Sequence, residues 1–533
     1  MWRLLVIALA LAVLALQVCW AKADPVVGSS DEAFAQARKQ VHPESSDNLE
    51  EAIAQFFEPG GSVDEGTYPP SDVWQRGSLR RSPAPRVGYN GRTFFRYSSD
   101  DVSGVDKWEK ELELGLNYKA WDLFLRATDF NTFPYVNDPF RLQKVQLRYR
   151  QGDTKVTVGS FGALFGRGLA LNMFEDRTVE WDNQAEGTKV ETTLGNAEVT
   201  ALWGTRKDRK SPRNSEVRAA RVDAPLGNDL AVGANAVEVE LPDTSYSPQA
   251  RNVLTYKLYG GDATFRHGDF MAYAETVRLE RDPQAFSSNK WDRLGLEGKG
   301  YYANASFGRD GYAVSAEYKD YQGLSQPFSV LPPLRRYNEE ATANPGDDKG
   351  YSAQFAWSPS SDGSQFAWTY AQGNSHQHNM PYTEFSTIYT SSSQGKTTWV
   401  GEYWDVNAYL EKHNIQRLTL NHQLTGDWTA STFMERERLT ANYYKPHIDY
   451  IVEGEVAFQS KLNLIYTWET TGGDVPSGKK SAWRLWELRL QPDSRQEVNL
   501  AYGARRAGFV CAGGVCRQEP EFSGWRLDYT FRF

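Results

Sequence analysis

After residue 23 the chain lacks any apolar run long enough for a membrane-crossing helix, which excludes a helical membrane protein. It also lacks a Lys/Arg block, and at a net charge of −9 it presents no nucleic-acid surface. Cysteine is scarce, 3 in 533 residues, and no two form a Cys-x-x-Cys pair, so a thiol redox motif is missing. A soluble protein of this length would need two or more domains, yet no Pro/Ser/Gly linker divides residues 90 to 533. Metal-ligand spacing is poor as well. His376 and His378 make a His-x-His pair in a long loop with no marked third ligand, so neither a metal nor a cofactor is expected.

Aromatics and glycine are plentiful instead: 17 Trp, 28 Tyr, 26 Phe and 44 Gly, at a mean hydropathy of −0.60. A soluble core would draw its apolar content from Leu, Ile and Val. This composition suits a barrel in which only alternate residues touch lipid and aromatics girdle both interfaces. Period-two alternation recurs along the chain. Leu112, Leu114, Leu116 and Tyr118 alternate with Glu111, Glu113, Gly115 and Asn117. Val145, Leu147 and Tyr149 alternate with Gln146, Arg148 and Arg150, and Tyr312, Val314, Ala316 and Tyr318 with Ser315, Glu317 and Lys319. Further runs follow at Tyr351 to Trp357, Phe366 to Tyr370 and Leu462 to Trp468. One alternating strand would fit a β-sandwich equally; strands of about 9 to 11 residues joined by unequal connections favour a membrane barrel.

Short turns with Gly, Asn, Asp or Pro signals fall near residues 118–120, 151–153, 194–196, 225–229, 266–268, 309–311, 358–363, 425–427, 460–461 and 491–495. Long polar connections lie between them at 280–295, 321–348, 372–411, 438–451, 471–481 and 504–522. A barrel of n strands with both ends in the periplasm needs n/2 − 1 periplasmic turns. About ten turns therefore predict an all-β, single antiparallel barrel of about 22 strands, within a range of 20 to 24.

The beginning of the chain predicts export. Met1-Trp2-Arg3 is a short basic region, Leu4 to Leu16 is unbroken apolar sequence, and Ala21-Lys22-Ala23 carries the small residues at which signal peptidase cuts. Acylation at Cys19 would require a small residue before it, and Val18 is too large. Residues 24–91 differ in texture: helical spacing over Asp31–Val41 and Asp47–Phe57, then extended sequence at Pro69-Pro70 and Ser82-Pro83-Ala84-Pro85. They are expected to form a periplasmic or lumenal segment ahead of a barrel over 92–533. They are too short for the plug of a TonB-dependent transporter, and Asp24-Pro25-Val26-Val27 is a weak match to an energy-coupling box.

Two stretches carry resemblances. The last strand, with Trp525, Leu527, Tyr529, Phe531 and Phe533 at every second position, resembles the C-terminal signal that outer-membrane barrels present to their insertion machinery. The run Val156 to Phe161, then Phe165-Gly166-Arg167-Gly168-Leu169, Phe174-Glu175-Asp176-Arg177 and Asp182-Asn183, is similar to a motif in a family of outer-membrane barrel proteins known only as a domain of unknown function. That resemblance implies architecture and no activity. Physically, the run leaves alternation for Gly-Arg-Gly and a charged cluster, a composition that can fold into a lumen and be held by ion pairs with inward residues such as Glu111, Glu113, Arg126, Arg148 and Arg150. A solvated external loop is the other possibility.

Catalytic signals are poor: His422 with Asn421 is the only remotely suitable pair for a lipase-type site, and no serine constellation accompanies it. Cys511 and Cys516 are expected to pair as a local staple in an oxidising envelope, two free thiols being the alternative. The sequence thus predicts a bacterial outer-membrane barrel and no enzyme. Its expected partners are outer-membrane lipid, the barrel insertion machinery and periplasmic chaperones. The first functional reading is a porin-like channel for small polar solutes, narrowed by Gly166, Arg167 and Gly168 with Glu175, Asp176 and Arg177. The second is an occluded structural or export-associated barrel that docks envelope partners.

Overall fold

In the computed structural model the described residues run from Gly88 to Phe533, with stretches left out inside several connections, the longest being 243–252, 282–296 and 333–344. The expected signal peptide, Cys19 and the helical spacings before residue 88 lie outside the described residues. Twenty-four strands form one closed antiparallel sheet. Each pairs with its neighbours in the chain, from β1 (Gly88–Asp100), β2 (Val105–Tyr118), β3 (Trp121–Thr132), β4 (Tyr135–Gln151) and β5 (Thr154–Phe161) round to the last strand, Phe522–Arg532. That strand closes on β1, in register from Arg92 opposite Arg532 to Asp100 opposite Gly524. Phe533 completes the seam, its N–H donating to the Gly91 carbonyl at 2.9 Å and its carbonyl accepting from the Gly91 N–H at 2.8 Å.

The strand number is at the upper end of the expected range because one hairpin escapes a pattern search. Residues 372–411 read as a single connection, but they contain the end of Gln365–Ser375 and two strands, Tyr382–Thr390 and Thr397–Asn407. Both faces of these strands mix polar and apolar residues. Outward Phe385, Thr387 and Tyr389 oppose inward Ile388, so no clean alternation appears. Residues 438–451 likewise belong largely to strands, Trp428–Ala441 and Tyr444–Phe458.

Alternation places lipid-compatible side chains outside, and lumenal groups inside. On β2, Leu116 and Tyr118 are exposed outward while Glu111 and Glu113 are buried inward. Further round, the pattern inverts partway along each strand. On Asn214–Pro225 the outward residues run Glu216, Arg218, Ala220, Val222 from the long-connection end, and the inward ones run Val217, Ala219, Arg221, Asp223. Phe270–Arg281 does the same: Arg278 and Glu280 point out where Val277 and Leu279 point in. At its short-turn end such a strand has the pattern of a lipid-facing barrel; at the other end it has that of a sheet around a dry core in water.

Candidate functional site: the lumen and its infolded segments

That dry core lies inside the barrel. Inward Leu202, Val217, Val237, Val239, Leu258, Val277 and Leu279 pack with Phe161, Phe165, Leu169, Leu171 and Met173. These belong to β5 and to the connection 162–184 that follows it. Leu324, Phe328 and Leu331, from the connection 323–347, join the same cluster. The composition of 321–348 predicts a polar connection, whereas these three side chains are buried in the core. The signal was present in Leu324-x-x-x-Phe328-x-x-Leu331, a spacing unneeded by a solvated loop. The two connections are tied together: the Asn172 N–H donates to the Phe328 carbonyl at 2.8 Å, and the Ser329 hydroxyl to the Gly168 carbonyl at 2.5 Å.

Within 162–184, two small ladders form, Ala163–Phe165 with Leu171–Met173 and Glu175–Asp176 with Trp181–Asp182. Asn183 is fully buried and braces them; its Nδ2 donates to the Asn172 carbonyl at 2.7 Å and its Oδ1 accepts from the Phe174 N–H at 2.6 Å. The tip, Gly166-Arg167-Gly168, rests on the wall. The Arg167 N–H donates to Glu275 Oε2 at 2.7 Å, the Tyr273 hydroxyl donates to the same oxygen at 2.8 Å, and the Arg167 guanidinium lies over the Tyr273 ring. Gly166 has φ +59°, and a Cβ there would come within 2.6 Å of the Tyr273 hydroxyl. The glycines serve close approach and left-handed backbone, Gly168 at φ +93°.

The charged end of the segment meets β1 to β4. Glu175 pairs with Arg126 and, at 2.7 Å, with Lys144, which also reaches Asp182 at 2.9 Å. Arg177 pairs with Glu111 and lies 3.7 Å from Glu113. Arg126 binds Glu113 at 2.8 Å, and Arg92 joins Glu111 and, at 3.0 Å, Glu113. Arg126 is 1 % exposed, so this network is desolvated and each charge needs its partner. Asp176 is buried beside it. Arg92 and Lys144 complete the network beyond the charges that the sequence marks as inward. Arg148 and Arg150 sit on the inward side of β4 outside the network, Arg148 donating to Gln146 at 3.0 Å.

Magnitudes separate the two kinds of contact. Each Leu, Phe or Met side chain buried in the shared core contributes about 1.5–3 kcal/mol, whereas a buried ion pair gives little net stability because desolvation offsets Coulomb attraction. Apolar packing therefore holds the infolded segments, and the ion pairs specify where the charged end docks.

No residue of this core comes from strands between 397 and 505. There the inward positions carry Glu402, Arg417, Glu435, Glu453, Glu455, Glu469, Glu487 and Arg489. Arg417 bridges Glu435 at 2.6 Å and Glu402 at 3.7 Å, and Glu453 accepts from the Thr467 hydroxyl at 3.0 Å. This wall is acid-rich, with Ile415, Ile465 and Leu485 between the charges, and among the described residues it takes no part in the packing of the two apolar segments.

Other candidates from the sequence fall elsewhere. His376 pairs with Asp320 at 2.8 Å, His378 lies outside the described residues, and no cluster of metal-binding side chains occurs among the described residues. His422 contacts the Thr397 hydroxyl at 2.7 Å, and Asn421, its neighbour along a strand, faces the other side. Cys511 and Cys516 are directly opposed in a small ladder, Gly508–Ala512 with Val515–Glu519. Trp525, Leu527, Tyr529 and Phe531 line the outward face of the closing strand, with Trp525 against Tyr97 at 4.8 Å.

Comparison with solved structures places this fold among outer-membrane β-barrels. A chain of the E. coli P pilus tip assembly intermediate PapC-PapD-PapK-PapG aligns over 85% of this chain at 10% identity, with a TM-score of 0.50. The alignment spans 62% of that longer chain, so this protein covers less than two thirds of its length. The FrpB iron transporter from Neisseria meningitidis aligns over 84% of this chain and 81% of its own, at 12% identity and a TM-score of 0.40. Pseudomonas aeruginosa OccK5 aligns over 73% of this chain and 98% of its own, at 11% identity and a TM-score of 0.36. At these identities the likeness is one of fold. No curated protein matches the chain. A family described as of unknown function, DUF6029, matches residues 105–329 and 491–533, which take in β2 to β5, both infolded segments up to Ser329 and the closing strand, and the chain belongs to that family.

Proposed function

We propose that this protein is an outer-membrane channel for small polar solutes, whose passage follows the acid-rich wall while residues 162–184 and 323–332 fill the opposite side. The observation that carries the reading is the division of the lumen: one wall packed against infolded apolar residues, the other acid-rich and, among the described residues, outside that packing. A barrel of 24 strands encloses far more space than its own wall side chains fill, and natural barrels of such width are narrowed or plugged. The acid-rich wall presents more carboxylates than guanidiniums, so cations should pass more readily than anions. Gly166, Arg167 and Gly168 act here as the anchored tip of the filling, and Glu175, Asp176 and Arg177 as its charged edge. Export by a cleaved signal peptide, delivery by periplasmic chaperones and insertion through the aromatic terminus belong to the same proposal.

The dry core also favours a second reading, a barrel closed at rest that opens only when the infold leaves. Conductance of the purified protein in planar bilayers separates them. The channel reading expects steady, cation-preferring conductance in the wild type; a silent wild type that conducts once 162–184 is deleted supports the closed barrel, and silence in both overturns the channel.

A further inference from the structure

The outer surface carries two kinds of charge at the long-connection end. On one side, the outward arginines are neutralised by their neighbours: Arg218 meets Glu216 at 2.7 Å and Glu238 at 3.2 Å, and Arg278 meets Glu297 at 3.2 Å and Glu280 at 3.5 Å. On the strand Trp428–Ala441 the outward set runs Trp428, Ala430, Thr432, Met434, Arg436, Arg438. Its cross-strand neighbours on the same face are Gln416 and Tyr450 beside Arg436, and Asn414 and Ile448 beside Arg438. The outward residues of both flanking strands include no carboxylate from Lys412 to His422 or from Ile448 to Phe458. Neither Arg436 nor Arg438 makes an ion pair among the described residues, whereas the nearby Lys412 lies 3.5 Å from Asp405.

Height along the strand gives the pair a place. Trp428 stands at the short-turn end, as a girdle aromatic. From there to Arg436, a rise of about 3.4 Å per residue on strands tilted about 40° adds up to roughly 20 Å, near the top of an apolar band roughly 25 Å tall. Arg438 stands one outward position higher. Two uncompensated guanidiniums at the edge of lipid are costly unless an anion meets them, and the anion in that plane is the phosphate of a headgroup.

We propose that Arg436 and Arg438, with Gln416 and Asn414 as flanking polar contacts, bind the phosphate of an outer-leaflet lipid headgroup. Planar guanidiniums two residues apart on one face suit bidentate contact with phosphate oxygens, and Met434 with its neighbours Leu418 and Val452, one outward position lower, supplies the apolar border against the acyl region. The proposal rests on the outer-membrane placement above and not on conductance.

The test uses the full chain purified in mild detergent and incubated with a bisphosphorylated, acylated glucosamine disaccharide, with retained lipid quantified by native mass spectrometry after washing. Wild type should retain the lipid. The Arg436→Gln/Arg438→Gln double variant, whose polar side chains keep the outward face filled, should lose it roughly tenfold or more, the loss expected for one charge-assisted hydrogen bond. Arg218→Gln, on the compensated side, should retain it. Heat-modifiable electrophoretic mobility checks folding of each variant, and the equally uncharged Arg436→Met/Arg438→Met, with the same loss expected, replaces the double variant if it misfolds. Equal retention by the folded double variant, or no retention by wild type, overturns the proposal; so does displacement of the lipid by millimolar inorganic phosphate, which would mark a free-anion site. Recovery of wild type from the outer-membrane fraction tests the placement separately.

Discussion

Between Leu202 and Tyr321 the inner wall is largely packed apolar surface, and between Glu402 and Arg489 carboxylates and guanidiniums recur along it. Both regions are antiparallel hairpins with the same two-residue repeat. The difference is what covers them. Where residues 162–173 with Leu324, Phe328 and Leu331 pack, the inward side chains are largely Val and Leu; on the other wall Glu, Arg and Thr alternate with Ile415, Ile465 and Leu485. The outward faces answer in kind, since Arg218, Glu238 and Arg278 point outward toward the long connections, each beside an opposite charge. Each face thus follows its medium rather than a fixed inside-outside rule.

The harshest way to break the comparison is to remove the closure on which both walls depend. Deleting Phe533 takes away its two backbone hydrogen bonds with Gly91 and should leave the protein unassembled in the periplasm, as judged by loss from the outer-membrane fraction. Assembly at wild-type levels would show that the terminal aromatic is dispensable.

Replacing 162–184 by a short flexible linker should erase the difference by uncovering the apolar wall. Single-channel conductance should rise several-fold and cells should become sensitive to large antibiotics; unchanged values would mean that this segment does not narrow the passage.

Point substitutions sharpen the contrast between the two kinds of contact. Leu171→Ala, at a fully buried position, should cost about 2–5 kcal/mol of the segment's docking, read as faster proteolysis within 162–184. Arg126→Ala leaves Glu113 and Glu175 short of a cation in a buried site, with an expected cost of about 3–5 kcal/mol. Arg126→Ala should therefore loosen the charged end at 175–182 while 163–173 stays protected, and Leu171→Ala should do the reverse. Identical digestion patterns would contradict the division.

On the polar wall, Glu453→Gln with Glu455→Gln should lower cation preference, measured as a smaller reversal potential under a salt gradient, with conductance nearly unchanged. The smallest effect concerns neither wall: Cys511 and Cys516 should react with an impermeant thiol reagent on intact cells only after reduction. Labelling without reductant would show two free thiols.

Much of the fold was legible because lipid, water and the pleat impose a periodicity that one strand displays by itself. The alternation of Leu112 to Tyr118, the Gly and Asp turns, and the aromatic end of the chain led to a closed antiparallel barrel of nearly the observed strand number. Strands 382–390 and 397–407 were lost where each face mixes polar and apolar residues. The candidate site was less legible. Glu175 and Arg177 stand out as charges, but their partners Arg126, Lys144 and Glu111 lie on other hairpins, and nothing local in the chain names them. The spacing of Leu324, Phe328 and Leu331 marks an apolar side of their connection, but the cluster they join, Leu169 within it, is far away in sequence.

The sequence by itself determined that the chain alternates, turns back at regular intervals and ends in an aromatic strand, because these are properties of neighbouring residues. Which of the two faces of a strand turns to water, lipid or a dry core was decided only by the tertiary structure. A period of two marks a pair of faces without saying what lies against either, and at Val217 and Leu258 that depends on connections which the closed barrel brings inside.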